Sequence, residues 1–182
     1  MAKEEILQRL WYVDYLYDKA QFRDKNLKEV KVIIDAIKKE VNALSLKGIK
    51  ERVGNNNLFF NRLEGKYCKL IELELNKSCV CDIHQLQFRT PYTPAPRGEL
   101  FVNIVNNLNT ETAERVNSMG QIIGILIAEM PPIVRKYGKK FEVLMGNHRT
   151  ISLIRNGEKT CKVLCLCEEN EVQDFPNLLF PT

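Results

Sequence analysis

At 182 residues, 45% apolar and 27% charged, the chain is long enough for one hydrophobic core and an appended helical piece. Nine glycines and seven prolines exclude a collagen-like or low-complexity chain, and a net charge of +4 is compatible with nucleic acid without demanding it. No apolar run approaches the roughly 20 residues of a membrane span. The opening MAKEEILQ has no signal-peptide profile, so a cytoplasmic protein without a membrane partner is expected.

In chain order, residues 4–22 carry Ile6, Leu7, Leu10, Val13 and Leu16 or Tyr17 at helical spacing, with Trp11, Tyr12, Tyr15 and Phe22 adding aromatic bulk. A second helix is signposted by the capping-box pair Asn26 and Glu29. Its apolar face of Leu27, Val30, Ile33, Ile34, Ile37, Val41 and Leu44 runs to about Leu46. Lys25, Lys28, Lys31, Lys38 and Lys39 lie mostly opposite, interrupted by acids, as on a solvated face. Gly54-Asn55-Asn56-Asn57 is the most loop-like tetrad and sets the expected boundary between an N-terminal helical segment, 1–55, and a second domain, 56–182.

Beyond it, Leu70, Ile71, Leu73 and Leu75 alternate with Glu72 and Glu74 in a half-buried strand, and Val80–Ile83 forms a second extended piece. Gln87–Gly98 holds three prolines and two arginines, Arg89 and Arg97, and must be a loop. Phe101–Leu108 fits strand or helix. Asn109 or Thr110 caps a helix through Met119 that Gly120 closes, Ile122–Ala128 reads as a buried strand, and Pro131-Pro132 ends it. Arg135, Lys136, Lys139 and Lys140 surround Tyr137-Gly138 in a hairpin-like turn. This is the most basic local cluster, read either as a solvated turn or as a steering site for an anion.

The chain then reaches FEVLMGNHRT. Phe141, Val143 and Met145 alternate with Glu142 and Leu144 in a strand that runs into Gly146, where a short helix with apolar Thr150, Ile151, Leu153 and Ile154 begins. Asn156-Gly157 ends that helix and Cys161–Cys167 is the next buried strand. The first turn of a helix has unpaired N–H groups and the positive end of the macrodipole, so an anion fits there. Gly146 allows close approach, Asn147 and His148 offer side-chain donors, and Arg149 can grip two phosphate oxygens, with an ordinary turn and a solvated Arg as the alternative. Of the six cysteines, Cys79-x-Cys81 and Cys165-x-Cys167 each place two thiols on one strand face. Zinc binding needs the two strands side by side; buried core thiols are the expectation. The terminal DFPNLLFPT is apolar enough to pack on the core or meet a partner.

The run GNHRTISLIRNGEKTCKVLCL, the upstream PYTPAPR ending at Arg97, and VNSMGQIIGILI occur in an order that resembles the ParB/sulfiredoxin-like superfamily, over about residues 68–170. The resemblance implies an α+β fold with a small mixed curved sheet and flanking helices, here preceded by an N-terminal helical pair. It also implies that Gly146, Asn147, His148, Arg149 and Thr150 hold the phosphates of ATP or CTP with Mg2+, assisted by Arg97 or alternatively Arg89. The expected role is in DNA metabolism of a plasmid, phage or mobile element, with DNA as a further partner and NTPase or nuclease activity open. The given sequence ends before the helix-turn-helix and dimerisation regions of partition-type ParB proteins, so a centromere-binding role is not implied.

Two alternatives stand beside this reading. One is a phosphotransferase on the same fold, for which Glu99 or Glu111 would be the base. The other is a non-catalytic interaction module that uses the N-terminal helices or the tail. Sulfiredoxin chemistry is argued against, because Asn147 stands where that activity needs a cysteine between Gly and His.

Overall fold

Asn26 starts the best-defined helix of the N-terminal part, as its capping box requires. In the computed structural model, which describes residues 8–13, 16, 25–53, 67–81 and 95–167, the Asn26 carboxamide accepts from the N–H groups of Lys28 at 3.0 Å and Glu29 at 3.1 Å. Glu29 returns the bond by accepting from the Asn26 N–H at 2.8 Å. The helix, α1 (Leu27–Ala43), buries Val30, Ile34 and Val41. The expected continuation to Leu46 does not occur. Leu44 is extended at φ −85° and ψ 142°, and a separate helix, α2 (Leu46–Val53), begins after Ser45, whose hydroxyl accepts from the Gly48 N–H at 3.1 Å. Residues 8–13 are helical, with Trp11, Tyr12 and Val13 buried, and Arg9 donates to the Val41 carbonyl.

The chain divides into two units, residues 1–21, 25–69 and 166–182 in one and residues 22–24 and 70–165 in the other. The expected boundary at Gly54–Asn57 lies outside the described residues, as do Arg89 and the tail from 168 onward.

The second unit is mixed α+β. Its five-stranded sheet has the order β1-β5-β3-β4-β2, from β1 (Tyr67–Glu74), β2 (Ser78–Val80), β3 (Ile133–Tyr137), β4 (Lys140–Met145) and β5 (Thr160–Cys167). β3 and β4 form an antiparallel hairpin through Gly138, whose φ of 59° suits glycine in so tight a turn, whereas β2 runs parallel to β4. One row crosses three strands, Val134 opposite Val143 opposite Val80, and all three are essentially without exposure. β-branched side chains pack well on such a pleated surface, which explains why this row sits in the interior.

Among the described residues, four α-helices accompany the sheet: α3 (Phe101–Ile104), α4 (Thr110–Met119), α5 (Ile123–Glu129) and α6 (Asn147–Arg155). The open segment 101–108 therefore resolves as one helical turn followed by bends. Asn109 caps α4 by accepting from the Thr112 N–H at 2.8 Å.

Two expectations are corrected. Ile122–Ala128 is not a strand: Ile122, Ile123 and Leu126 are buried while Gly124 and Ala128 are exposed, which is the three-to-four spacing of a helix. Arg135 and Lys136 are not turn residues but belong to β3, so the basic cluster spans a strand pair. Gly120 ends α4 as expected, although in the right-handed region, at φ −52°. The two Cys-x-Cys pairs are not neighbours, because β3 and β4 lie between β5 and β2. Cys79, Cys81 and Cys161 are buried. No helix of the described residues is long and apolar enough to cross a membrane.

Candidate functional site

β4 lies inside the sheet, between β3 and β2, and its last residue, Met145, hands the chain directly to Gly146 and α6. Gly146 adopts the left-handed conformation, φ 90° and ψ 27°, a region that only glycine enters without strain. Space points the same way. A Cβ at this position would stand 2.9 Å from Nη2 and 3.1 Å from Nε of Arg149, so the guanidinium would have to shift to admit it.

The first intrahelical bond of α6 runs from the Thr150 N–H to the Gly146 carbonyl at 2.9 Å, and the Thr150 hydroxyl donates to the same oxygen at 3.0 Å. Where α1 and α4 each have an asparagine whose side chain accepts first-turn N–H groups, glycine supplies no oxygen to α6. The donors at this end and the positive pole of the dipole are therefore left unquenched by the cap.

The side chains of this turn are mostly enclosed. Asn147 is 5% exposed, and its Oδ1 is buried without a hydrogen-bond partner. His148 is half-buried and Thr150 is buried. Arg149 is only 4% exposed. Its Nη1 donates to the carbonyl of Met130, the residue that closes α5, and its guanidinium lies against Gly146. A cation at the negative end of α5 is electrostatically well placed, and it ties that helix end to the first turn of α6. Ser152 adds a second tether, donating to the Val116 carbonyl of α4 at 3.3 Å.

Arg97 belongs to a different cluster. Glu142 on β4 has no exposure and receives Arg97 through Nε and, at 3.3 Å, Nη2, together with Arg135 Nε at 2.6 Å. The Arg97 guanidinium also covers the Tyr137 ring at 4.4 Å from its centroid, while Lys140 Nζ donates to the Gly98 carbonyl at 2.8 Å. Glu142 precedes Gly146 by four residues, about 13 Å along a strand. The structure thus assembles Gly146–Thr150 in one turn and holds Arg97 at Glu142, towards the β3–β4 hairpin.

Sequence reasoning missed Glu142. The signal was present, an acid in the middle of FEVLM, a strand whose neighbours on both sides are apolar. Cys79 faces Glu142 in the parallel register. Burial, followed by the Glu142 charge, pushes its thiol up to about 11, against the opposing pull of Lys140 and Arg97.

Of the alternative bases, Glu99 is half-buried and its carbonyl accepts the Val80 N–H at 2.9 Å, whereas Glu111 is exposed in the first turn of α4. Among the described residues no group of three or more His, Cys, Asp or Glu side chains could hold a metal ion. Compared with known proteins, the chain matches no family model, no curated protein and no solved structure.

Proposed function

We propose that this protein binds the phosphates of a nucleotide, ATP or CTP, at the first turn of α6, on a curved sheet of the ParB/sulfiredoxin-like kind, and acts in the cytoplasm in DNA metabolism. The observation that carries the reading is the α6 start: a nine-residue helix, launched from an interior strand by a left-handed glycine, whose dipole and donors have no side-chain cap. The three motifs quoted above, in their order, supply the nucleotide as the source of the phosphate.

In this reading the first-turn N–H groups and His148 meet the phosphate oxygens. Arg149 contributes positive charge from behind Gly146 while it holds the turn to Met130. Arg97 is occupied at Glu142 and is not assigned to the phosphates. The residues fit magnesium only as a companion of the nucleotide: Mg2+ characteristically binds substrate phosphates and keeps several waters.

The test is calorimetric titration of ATP and CTP, with and without Mg2+, into wild-type protein and the His148→Glu variant. A carboxylate in the first turn complements the helix dipole, so the variant is expected to be as stable as wild type or slightly more so. Repulsion should nevertheless weaken nucleotide binding at least tenfold. Hydrolysis and DNA-binding assays follow with whichever nucleotide binds. Folded wild-type protein that takes neither nucleotide ends the phosphate reading, and a non-catalytic interaction module then replaces it.

A further inference from the structure

The β3–β4 hairpin gathers positive charge on one face. Side chains alternate along a strand, so Arg135 and Tyr137 of β3 share a face with their partners in register, Glu142 and Lys140 of β4, while Lys136 and its partner Phe141 belong to the other face. Gly138 and Lys139 form the turn between the strands. No acid stands between Glu129 and Glu142 in the chain, and Glu142 itself has no exposure.

A fully enclosed carboxylate is costly unless its partners offset the lost hydration. Glu142 pairs with two guanidinium groups that both reach the surface, Arg97 at 42% exposure and Arg135 at 30%. It therefore anchors them there in fixed orientations. Arg97 turns its Nε and Nη2 to Glu142 and sits over the Tyr137 ring, 4.4 Å from the centroid. The ring in turn lies against Gly98, where a Cβ would come within 3.1 Å of it, and Lys140 Nζ donates to the Gly98 carbonyl at 2.8 Å. Tyr137 is nevertheless 39% exposed beside the turn. A cation-on-aromatic pair is thus held in place before any partner arrives, which lowers the ordering cost of binding.

Cations alone suit any polyanion. The ring and the guanidinium narrow the choice, because unpaired bases stack on aromatic rings and guanidinium planes, whereas a duplex keeps its base faces stacked on one another. We propose that the hairpin face formed by Arg97, Arg135, Tyr137 and Lys140, with Lys139 of the turn, binds single-stranded nucleic acid, its cations on the phosphates and a base stacked on the Arg97–Tyr137 pair. No residue of the α6 turn takes part, so this surface stands or falls separately from the nucleotide site.

The experiment follows the fluorescence anisotropy of a labelled oligo(dT) of about 20 nucleotides, longer than typical single-strand sites, on the full chain over a range of salt. A duplex of the same length and a polyglutamate peptide are titrated beside it. The single strand is expected to bind roughly tenfold more tightly than either, the weight of one stacked base. Tyr137→Leu should lose about that factor with its salt dependence unchanged, and Tyr137→Phe should bind as wild type. Lys139→Gln and Lys140→Gln should each reduce the slope of log affinity against log salt by about 0.7, the share of one phosphate contact on a single strand, whereas Lys136→Gln on the opposite face should leave it unchanged. Lys139, exposed in the turn, carries the salt test should Lys140→Gln disturb the contact with Gly98.

Equal binding of the duplex overturns the proposal in favour of a duplex contact, and equal binding of polyglutamate overturns it in favour of an acidic protein partner. Full affinity in Tyr137→Leu removes the stacked base. A slope that falls as far in Lys136→Gln as in Lys139→Gln reduces the binding to general attraction between opposite charges, and an oligonucleotide that does not bind wild type at all ends the proposal outright.

Discussion

The Glu142 carboxylate is shared by two guanidinium groups of unequal exposure, Arg97 at 42% and Arg135 at 30%, while the carboxylate itself is fully enclosed. Sharing makes the cost of losing a partner depend on the order of removal. Arg97→Ala leaves the carboxylate with Arg135, and Arg135→Ala leaves it with Arg97. Removing both strands a buried charge, which costs about 3–5 kcal/mol where a buried pair is broken outright. The double variant should therefore be destabilised beyond the sum of the singles by on the order of 1–2 kcal/mol, measured by urea unfolding in a double-mutant cycle. Additivity would mean that water or another group replaces the arginines at no cost.

The same residue shows where single-position reading stops. Alternation in FEVLM marks a strand but cannot tell a solvent-facing acid from one on a second buried face, because β4 becomes an interior strand only through its long-range pairing with β2. Gly146 was legible because a strand-to-helix turn asks for a residue free to adopt positive φ. The direction of the neighbouring arginine was not, since Arg149 turns inwards on a contact with Met130 nineteen residues away.

Elements with their own start signals were read best. α1 and α4 begin at asparagine caps whose hydrogen bonds are local, and α6 ends at Asn156-Gly157, where Gly157 has φ 82°. α5 was misread because Ile122-Ile123 and Ile125-Leu126-Ile127 form a short apolar run, and such a run fits a buried strand as well as a helix. β3 was hidden for the opposite reason: two of its five residues are Arg135 and Lys136, and the Glu142 that accepts Arg135 comes from another strand. The reciprocal cap of α1 gives a clean prediction at this scale. Asn26→Ala removes both side-chain acceptances and should cost about 1 kcal/mol. Amide exchange should show it, with Val30 and its neighbours in the first turns of α1 exchanging about fivefold faster while the amides of β4 keep their protection. Uniform acceleration across both would instead mean that the cap acts on global stability.

For the molecule as a whole, the α+β class and most strands were legible from period and punctuation. The strand order was not, because it joins residues as far apart as Val80 and Val143 that no local pattern links. That order also separates two buried thiols. Cys79 on β2 and Cys161 on β5 lie three strand spacings apart, about 14 Å, far enough to act independently on the stability of one sheet.

Burial raises both thiols from 9.0 to about 11; for Cys161 the Arg149 charge opposes the rise and Glu158 adds to it. A thiol raised in this way holds its proton more firmly folded than unfolded. Its contribution to stability is complete below pH 9.0 and is lost as pH climbs from there to about 11. Each thiol should account for on the order of 2 kcal/mol of that alkaline loss. Urea unfolding across this window should show stability falling with pH, and Cys79→Ala and Cys161→Ala should each make the fall shallower, with the double variant shallowest. An unchanged slope in both variants would place the alkaline titration in other groups and leave the two thiols without a part in the pH dependence of the fold.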